Sequence, residues 1–566
     1  MRSGDDPLSA FDEAPRVTGA AGGGALLRRR LWVPAVLAPV AETALLLGVG
    51  PRGAAALGPQ ITAPPPLDLL HDLRWVATYH DSWLSLGLEL AAILGLRSLY
   101  AAWIVRRAWR QGPGSAASFV LAAGRALVFY ATASVLLWPW IALLFGGAIS
   151  HLSYLYFAAL PPALAVAVVL HRGALSRPGQ TWWWRPTRRT AAWEAGSLVW
   201  LTAAGALISS TPAPVALVAA AVAGALNARA VEAIAASAGQ PRAPHRRVRG
   251  VVTPVAVAAI FAIVVGGTGI GFATIRQGDP DLRRAAIPNR AVGHPVLVAS
   301  GFNSTWGPPP TLDLPRGFVI WRYSYRGINA AGELLPYTPA DTQQSLLVSA
   351  ARLGWQVDAL HRAYGQPVTL VAESEGALVA RTYLLRMYRP QTQAVDRVFV
   401  LDMPQGRPHV SFPRPGEDGW GVGTGWVLRG LISLIGNLGP LTASADAPFS
   451  RDLIGRPRLL ATLALAPPPP GVHQVWVEAL ADAVNQPYPQ TRTLRGSRSP
   501  TIVVPAAHGG LIRNPAVQRI IAGVLAGTAL PDAQPGAALQ PVLAAAASAW
   551  QVPSLPWQLQ HEPATE

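Results

Sequence analysis

Runs of some twenty apolar residues recur through the first half of this chain and stop near residue 274, and no other feature restricts its fold as much. An α-helix rises about 1.5 Å per residue, so about 20 apolar residues cross the hydrocarbon core of a bilayer. Seven stretches meet that length, at about 32–50, 83–105, 126–148, 153–171, 192–210, 213–234 and 251–274. The fifth and sixth are divided only by Ser209-Ser210-Thr211-Pro212-Ala213-Pro214, a short turn. From about 280 to 530 the pattern becomes that of an ordinary globular chain. With 566 residues, 51% of them hydrophobic and 13% charged, the sequence predicts two unlike parts. One is an α-helical transmembrane domain over about 28–275, and the other an α/β domain over about 285–530. Residues 1–27 lack the charged-then-apolar pattern of a cleaved signal peptide and read as a disordered tail; the Ala- and Pro-rich residues 531–566 read as a flexible one.

The formal charge of +16 would suit a nucleic-acid surface if the arginines clustered on a folded face. Instead they fall in short groups between apolar runs, which is the signature of membrane topology, so the expected partner is the lipid bilayer and not nucleic acid. Every basic residue is Arg, and Arg28–Arg30, Arg106/Arg107/Arg110, Arg172 to Arg189 and Arg242 to Arg249 mark alternate loops. Seven spans then put the N-terminus in the cytoplasm and the C-terminal domain on the extracytoplasmic side. Arg276, Arg283, Arg284 and Arg290 follow the last run and weigh against that orientation, and an even span count would reverse it. The chain has no cysteine, which excludes disulfides, thiolate metal sites and thiol nucleophiles. Glu42, Glu89 and Arg97 fall inside apolar runs, where they either pair between helices or line a polar path. Trp182-Trp183-Trp184 beside Arg185 reads as an interfacial anchor.

In the second half, short β-type runs alternate with helical stretches, which favours a mainly parallel sheet flanked by helices. The predicted strands are about 294–300, 318–323, 367–372, 398–402, 472–479 and 500–504, with helices at about 341–364 and 376–388. Functional groups of such a sheet gather at the C-terminal ends of its strands. The third strand runs straight into Ala372-Glu373-Ser374-Glu375-Gly376 and then a helix, putting a serine at the apex of a sharp turn. So tight a turn needs small residues two before and two after the serine, here Ala372 and Gly376. It also aims Ser374 at a helix N-terminus, whose free amides favour developing negative charge.

The segment resembles the nucleophile elbow of the α/β-hydrolase superfamily, Gly-x-Ser-x-Gly, with Ala in the first position. That resemblance implies a lipase- or esterase-like serine hydrolase with the chain order serine, acid, histidine. A serine hydroxyl needs a base to take its proton, and the base needs an acid to orient it. His508, just past the last predicted strand in Ala506-Ala507-His508-Gly509-Gly510, matches the family's histidine position; His294, His361, His409 and His473 are placed less well. Asp482 resembles the acid-loop residue, and Asp402, ending the preceding strand, is its rival; a cap or turn role is the plainer reading of either. The expected oxyanion donors are the backbone amides of Glu375 and of Phe302, the latter in the turn Ser300-Gly301-Phe302-Asn303-Ser304 after the first strand.

Residues 405–470 form a long insertion whose middle, Gly423 to Leu438, is apolar and helix-like. It is expected to be a lid, which would suit lipid or other acyl-ester substrates, or simply a cap over the core. The chemistry requires no metal or organic cofactor. Acyl transfer by the same triad is an alternative, as is a transport or sensing protein with a catalytically silent hydrolase-like domain.

Overall fold

In a computed structural model the described residues are 20–49, 52–65, 67–108, 116–142, 188–238, 284–404, 410, 413–438, 442–481 and 501–528, with 542, 546, 549 and 550. The first part is helical. Helix α1 spans Ala20–Val49, α2 Leu67–Tyr79, α3 Trp83–Ala108, α4 Ala116–Ile141, α5 Arg188–Ser210 and α6 Ala213–Ala238. Four helices are long and apolar enough to cross a bilayer, over Trp32–Val49, Trp83–Ile104, Phe119–Pro139 and Ala213–Ile234. The chain therefore reads as a multi-pass membrane protein. Helices α5 and α6 are separated as expected at residues 211–212, although α5 is not among the four apolar enough to span. The expected spans at 153–171 and 251–274 lie outside the described residues.

Helix α1 starts at Ala20, within residues 1–27 that read from sequence as a tail. The expected C-terminal tail is not free along its whole length, because Ala549 and Trp550 are buried in the helical part. The Trp550 indole donates to Thr202 Oγ1 at 2.9 Å, and the Ala549 carbonyl accepts from the Gln60 side chain. A large ring with one donor is stable in an apolar site that offers one acceptor.

The segment between α1 and α3 is no surface loop. It passes through a 3₁₀ turn at Gly58–Thr62 into α2, which is buried on nearly every face. Several of its polar residues pair with side chains of the surrounding helices. Arg97 of α3 grips Asp72 with two donors at 2.6 and 2.8 Å, and Tyr130 of α4 donates to Asp68 at 3.0 Å. His71 stands between Asp72 and Glu42 of α1, 2.9 Å from each. Asn227 of α6 donates to the Pro59 carbonyl at 2.8 Å. Two of the three charges noted within the apolar runs, Glu42 and Arg97, thus belong to interhelical pairs, whereas Glu89 joins none of these bonds.

The second part is built on one sheet. Strands β1 His294–Ala299, β2 Phe318–Arg322, β3 Val368–Glu373, β4 Val395–Leu401, β5 His473–Ala481 and β6 Thr501–Ala507 are all the expected ones. They lie in the order β2-β1-β3-β4-β5-β6, and every pairing is parallel. Parallel strands covered on both faces should be continuously apolar. Accordingly Val296, Leu297 and Val298 of β1 are all fully buried, Leu297 facing one core and its two neighbours the other. Helices α7 Leu346–Tyr364 and α8 Glu375–Arg386 cover one face, and α12 Pro515–Leu525 the other. The insertion between β4 and β5 contributes α9 Val422–Leu438, α10 Pro448–Gly455 and α11 Pro457–Leu465.

The chain leaves β1 toward β2 and returns to β3 on the opposite side of β1. That reversal opens a crevice at the C-terminal ends of β1 and β3, where open α/β sheets place their ligands.

Replacing Trp550 by Ala should show how firmly the C-terminal residues are held. Loss of a buried large ring costs about 3–5 kcal/mol, so Trp550→Ala is expected to lower the unfolding midpoint in detergent and to speed proteolysis of the C-terminus. An unchanged midpoint would refute the docking.

Candidate active site

Strand β3 ends at Glu373, and Ser374 follows with φ 56° and ψ −121° before α8 begins at Glu375. A non-glycine residue there is strained, and the strain persists only because both sides are fixed. The Ser374 amide donates to the Leu401 carbonyl of β4 at 2.9 Å, and the Ser374 carbonyl accepts from Ala377 at 3.0 Å. The predicted need for a small residue two positions on is met in full. A Cβ on Gly376 would lie 2.3 Å from the Ala299 carbonyl oxygen. Gly301 in the loop after β1 is constrained the same way, since a Cβ there would stand 2.7 Å from Ser374 Cβ and 3.1 Å from its Oγ. Main chain from the β1 loop therefore passes against the serine, and Phe302 is the next residue.

His508 follows β6 and brings Nε2 to 2.9 Å from Ser374 Oγ. Two residues separated by 134 positions thus meet at the C-terminal end of the sheet. On the other side of the imidazole, Nδ1 is 3.9 Å from Asp402 Oδ2. Asp402, read from sequence as the rival acid, is thus the carboxylate beside the histidine, while Asp482 lies outside the described residues. Asp402 is fully buried. It stands at φ 46°, and its Oδ1 accepts the Ala479 amide of β5 at 2.6 Å. At 3.9 Å the carboxylate is within ion-pair distance of the imidazole and would stabilise its protonated form.

The glutamates flanking the serine do different things, and sequence reading had assigned neither side chain a role. Glu373 reaches under the histidine loop and accepts the Leu511 amide at 2.6 Å, tying the end of β3 to the residues after His508. Burial pushes its carboxyl above the ordinary range, against the opposing pull of the Leu511 and Ile512 amides and of His508. Glu375 is 1% exposed, and neither carboxyl oxygen has a hydrogen-bond partner among the described residues. Burial alone drives its pKa well above the carboxylate range, which favours the neutral acid. Tyr323, Tyr325 and Tyr337 lie within its electrostatic reach.

Further residues fix the loop after β1. The Tyr325 hydroxyl donates to the Ser300 carbonyl at 2.7 Å, and the Asn303 amide donates to Thr342 Oγ1 at 3.0 Å. The Phe302 ring stacks on Phe449 of α10 with centroids 5.7 Å apart. These partners come from separate elements, and no spacing in the sequence signals them. Of the other histidines weighed from sequence, His294 bonds Thr369 at 2.9 Å, His361 bonds the Gln366 carbonyl at 2.9 Å, and His473 opens β5. His409 lies outside the described residues. Among the described residues no group of three His, Asp or Glu side chains is arranged to hold a metal.

In comparison with known proteins, no family model matches the chain, and no curated protein matches it. Among solved structures, a crystal structure of wild-type DBJA is similar at 14% identity and a TM-score of 0.26, over 43% of this chain and 98% of that one. A structure of wild-type AbyA5 is similar at 15% identity and a TM-score of 0.26, over 70% of this chain and 96% of that one. Likenesses at these TM-scores bear on neither fold nor chemistry.

The raised pKa of Glu375 has a pH signature. A carboxyl whose folded pKa lies above its unfolded value gives its full stability below the unfolded pKa and loses it as pH rises toward the folded one. Glu375→Gln, neutral at every pH, should therefore gain melting temperature over the parent protein between pH 5 and pH 8. A difference that stays constant across that range would show that Glu375 is ionised when folded.

Proposed function

We propose that this protein is a membrane-anchored serine hydrolase of the α/β-hydrolase type that cleaves carboxylic esters through an acyl-enzyme on Ser374. The observation that carries the reading is the 2.9 Å contact between Ser374 Oγ and His508 Nε2, made by a serine held in a strained turn at the sheet's reversal point. In the first step His508 Nε2 takes the hydroxyl proton while Oγ attacks the ester carbonyl. The amides of Phe302 and Glu375 receive the resulting oxyanion. His508 then gives its proton to the leaving alcohol, and the carbon–oxygen bond to that alcohol breaks. A water molecule, deprotonated by the same imidazole, attacks the acyl group and releases Ser374 and a carboxylic acid.

Asp402 serves as the acid in this reading, because it is the described carboxylate within ion-pair distance of His508 Nδ1. The gap shortens as the imidazole gains its proton, since catalytic contacts are often long in an unliganded site. Residues 405–470 act as a lid, whose apolar α9 beside a membrane-embedded bundle suits a lipid or other long acyl ester. In this reading the catalytic domain lies on the extracytoplasmic side, as the arginine pattern with seven spans favours. Acyl transfer differs only in the second step, where an alcohol replaces water, and the same site would support it.

Two measurements test the reading. A fluorophosphonate probe should label the purified protein, and Ser374→Ala should abolish both labelling and ester turnover; labelling that persists removes Ser374 from the chemistry. Asp402→Asn should lower kcat by up to about 10⁴ with the fold intact, the order seen when a triad histidine loses its orienting carboxylate. Near-normal turnover in Asp402→Asn, with loss in Asp482→Asn, would move the acid to the later residue.

A further inference from the structure

We propose that the membrane bundle positions the catalytic centre, with His80 holding the insertion and the insertion holding the oxyanion loop through Asn303. The proposal rests on the reading of Ser374 as the nucleophile and adds a role for the bundle beyond anchoring.

The line begins at α2, which is fixed inside the bundle by Asp68, His71 and Asp72. His80 follows its last turn and is fully buried. Its Nδ1 lies 2.5 Å from the Val76 carbonyl, and its Nε2 lies 2.8 Å from the Gly423 amide. A carbonyl only accepts and an amide only donates, so Nδ1 carries the proton and Nε2 is the acceptor. The His80 carbonyl also accepts the Gly421 amide at 2.6 Å. The first amides of a helix have no partner within it. For α9, one residue of the bundle supplies two of those partners from 343 positions away.

Packing reinforces the joint. A Cβ on Gly423 would lie 2.4 Å from Leu86 and 3.5 Å from the Trp83 ring, both of α3. Trp420 meets Tyr79 edge-on at 6.1 Å. Farther along α9, Leu428 shares an apolar cluster with Ala142 at the end of α4 and with Ala445 beyond the helix.

The far side of the insertion closes on the catalytic loop. The Thr442 amide donates to Asn303 Oδ1 at 3.0 Å. Gln343 brackets the same segment, donating to the Thr442 carbonyl and accepting the Ser444 amide, each at 3.0 Å. Asn303 follows Phe302, the proposed oxyanion donor, and its φ of 62° sets the direction in which the loop leaves that amide. Displacing a reacting group by about 1 Å can cost of order 10²-fold in rate. A bond chain that ends one residue from the oxyanion donor has that leverage. His80 and Asn303 are positioning residues and touch no substrate.

The test uses the full-length protein in detergent and a water-soluble nitrophenyl ester. Asn303→Gly tolerates the left-handed backbone and removes the side chain with its acceptor, and is expected to lower kcat about 10- to 100-fold with little change in KM. His80→Leu should lower kcat to a similar degree, and His80→Gln, whose amide oxygen can accept the Gly423 amide, should restore most of it. Since both residues act along one line, His80→Leu combined with Asn303→Gly should be no slower than the slower single variant. Multiplying effects would overturn the proposal, as would wild-type kcat in Asn303→Gly or equal losses in His80→Gln and His80→Leu. If His80→Leu does not fold, Asn303→Gly still decides. Turnover that survives Ser374→Ala would instead defeat the hydrolase reading itself.

Discussion

The contact between Ser374 and His508 spans three strand intervals, from the end of β3 to the end of β6, and the rest of the site is arranged around that reach. Adjacent strands lie about 4.8 Å apart, so the loop after β6 must come back roughly 14 Å over the ends of β5 and β4. Something must hold it there. Glu373, on the strand that leads into Ser374, supplies the near anchor by accepting the Leu511 amide. Asp402 ends β4, directly beneath the path, and is itself pinned to β5 through Ala479. A carboxylate at that strand end lies between Ser374 after β3 and His508 arriving from β6, which is the physical reason it comes near the imidazole. The buried cost of two carboxyls so close is contained because each accepts a backbone amide.

What was legible in the sequence followed from local rules. All six strands of the sheet showed as short apolar β-type runs, and the turn at Ser374 showed because sterics admit few residues around it. His508 was legible because it follows the last strand. Choosing between Asp402 and Asp482 required knowing where the histidine loop lands, and that depends on strand order, which no single segment encodes. The pairing of Asn303 with Thr442 and the stacking of Phe302 on Phe449 join separate elements, and no periodicity announces them.

Helix α2 escaped the sequence reading for a different reason. At 13 residues it is too short to cross a bilayer, and Asp68, His71, Asp72 and Arg74 make it look like a solvated connection. A hydropathy reading scores each side chain against water or lipid and has no term for a partner on another helix. Inside the bundle those residues meet Arg97, Tyr130, Glu42 and Gln60, and a buried charge that is paired and hydrogen-bonded is tolerated where an isolated one is not. Trp550 was hidden likewise, a large ring in an Ala-rich stretch whose acceptor, Thr202, sits on a helix far away in sequence.

The same pairing explains why α2 is a firm support. Removing one partner from a buried ion pair leaves the other charge stranded and costs about 3–5 kcal/mol, so α2 cannot shift to relieve a neighbour without breaking Asp72 from Arg97. Its rigidity passes to His80, one residue beyond its end. Helix α9, which presents unpartnered amides at its start and apolar side chains along its length, needs both acceptors and an apolar surface. The end of the bundle offers both at once, through the His80 carbonyl and imidazole and through Leu86, Trp83 and Ala142. An insertion satisfied in this way by the membrane part is specified by it, and the geometry of the loop it grips at Asn303 becomes a property of both halves of the chain.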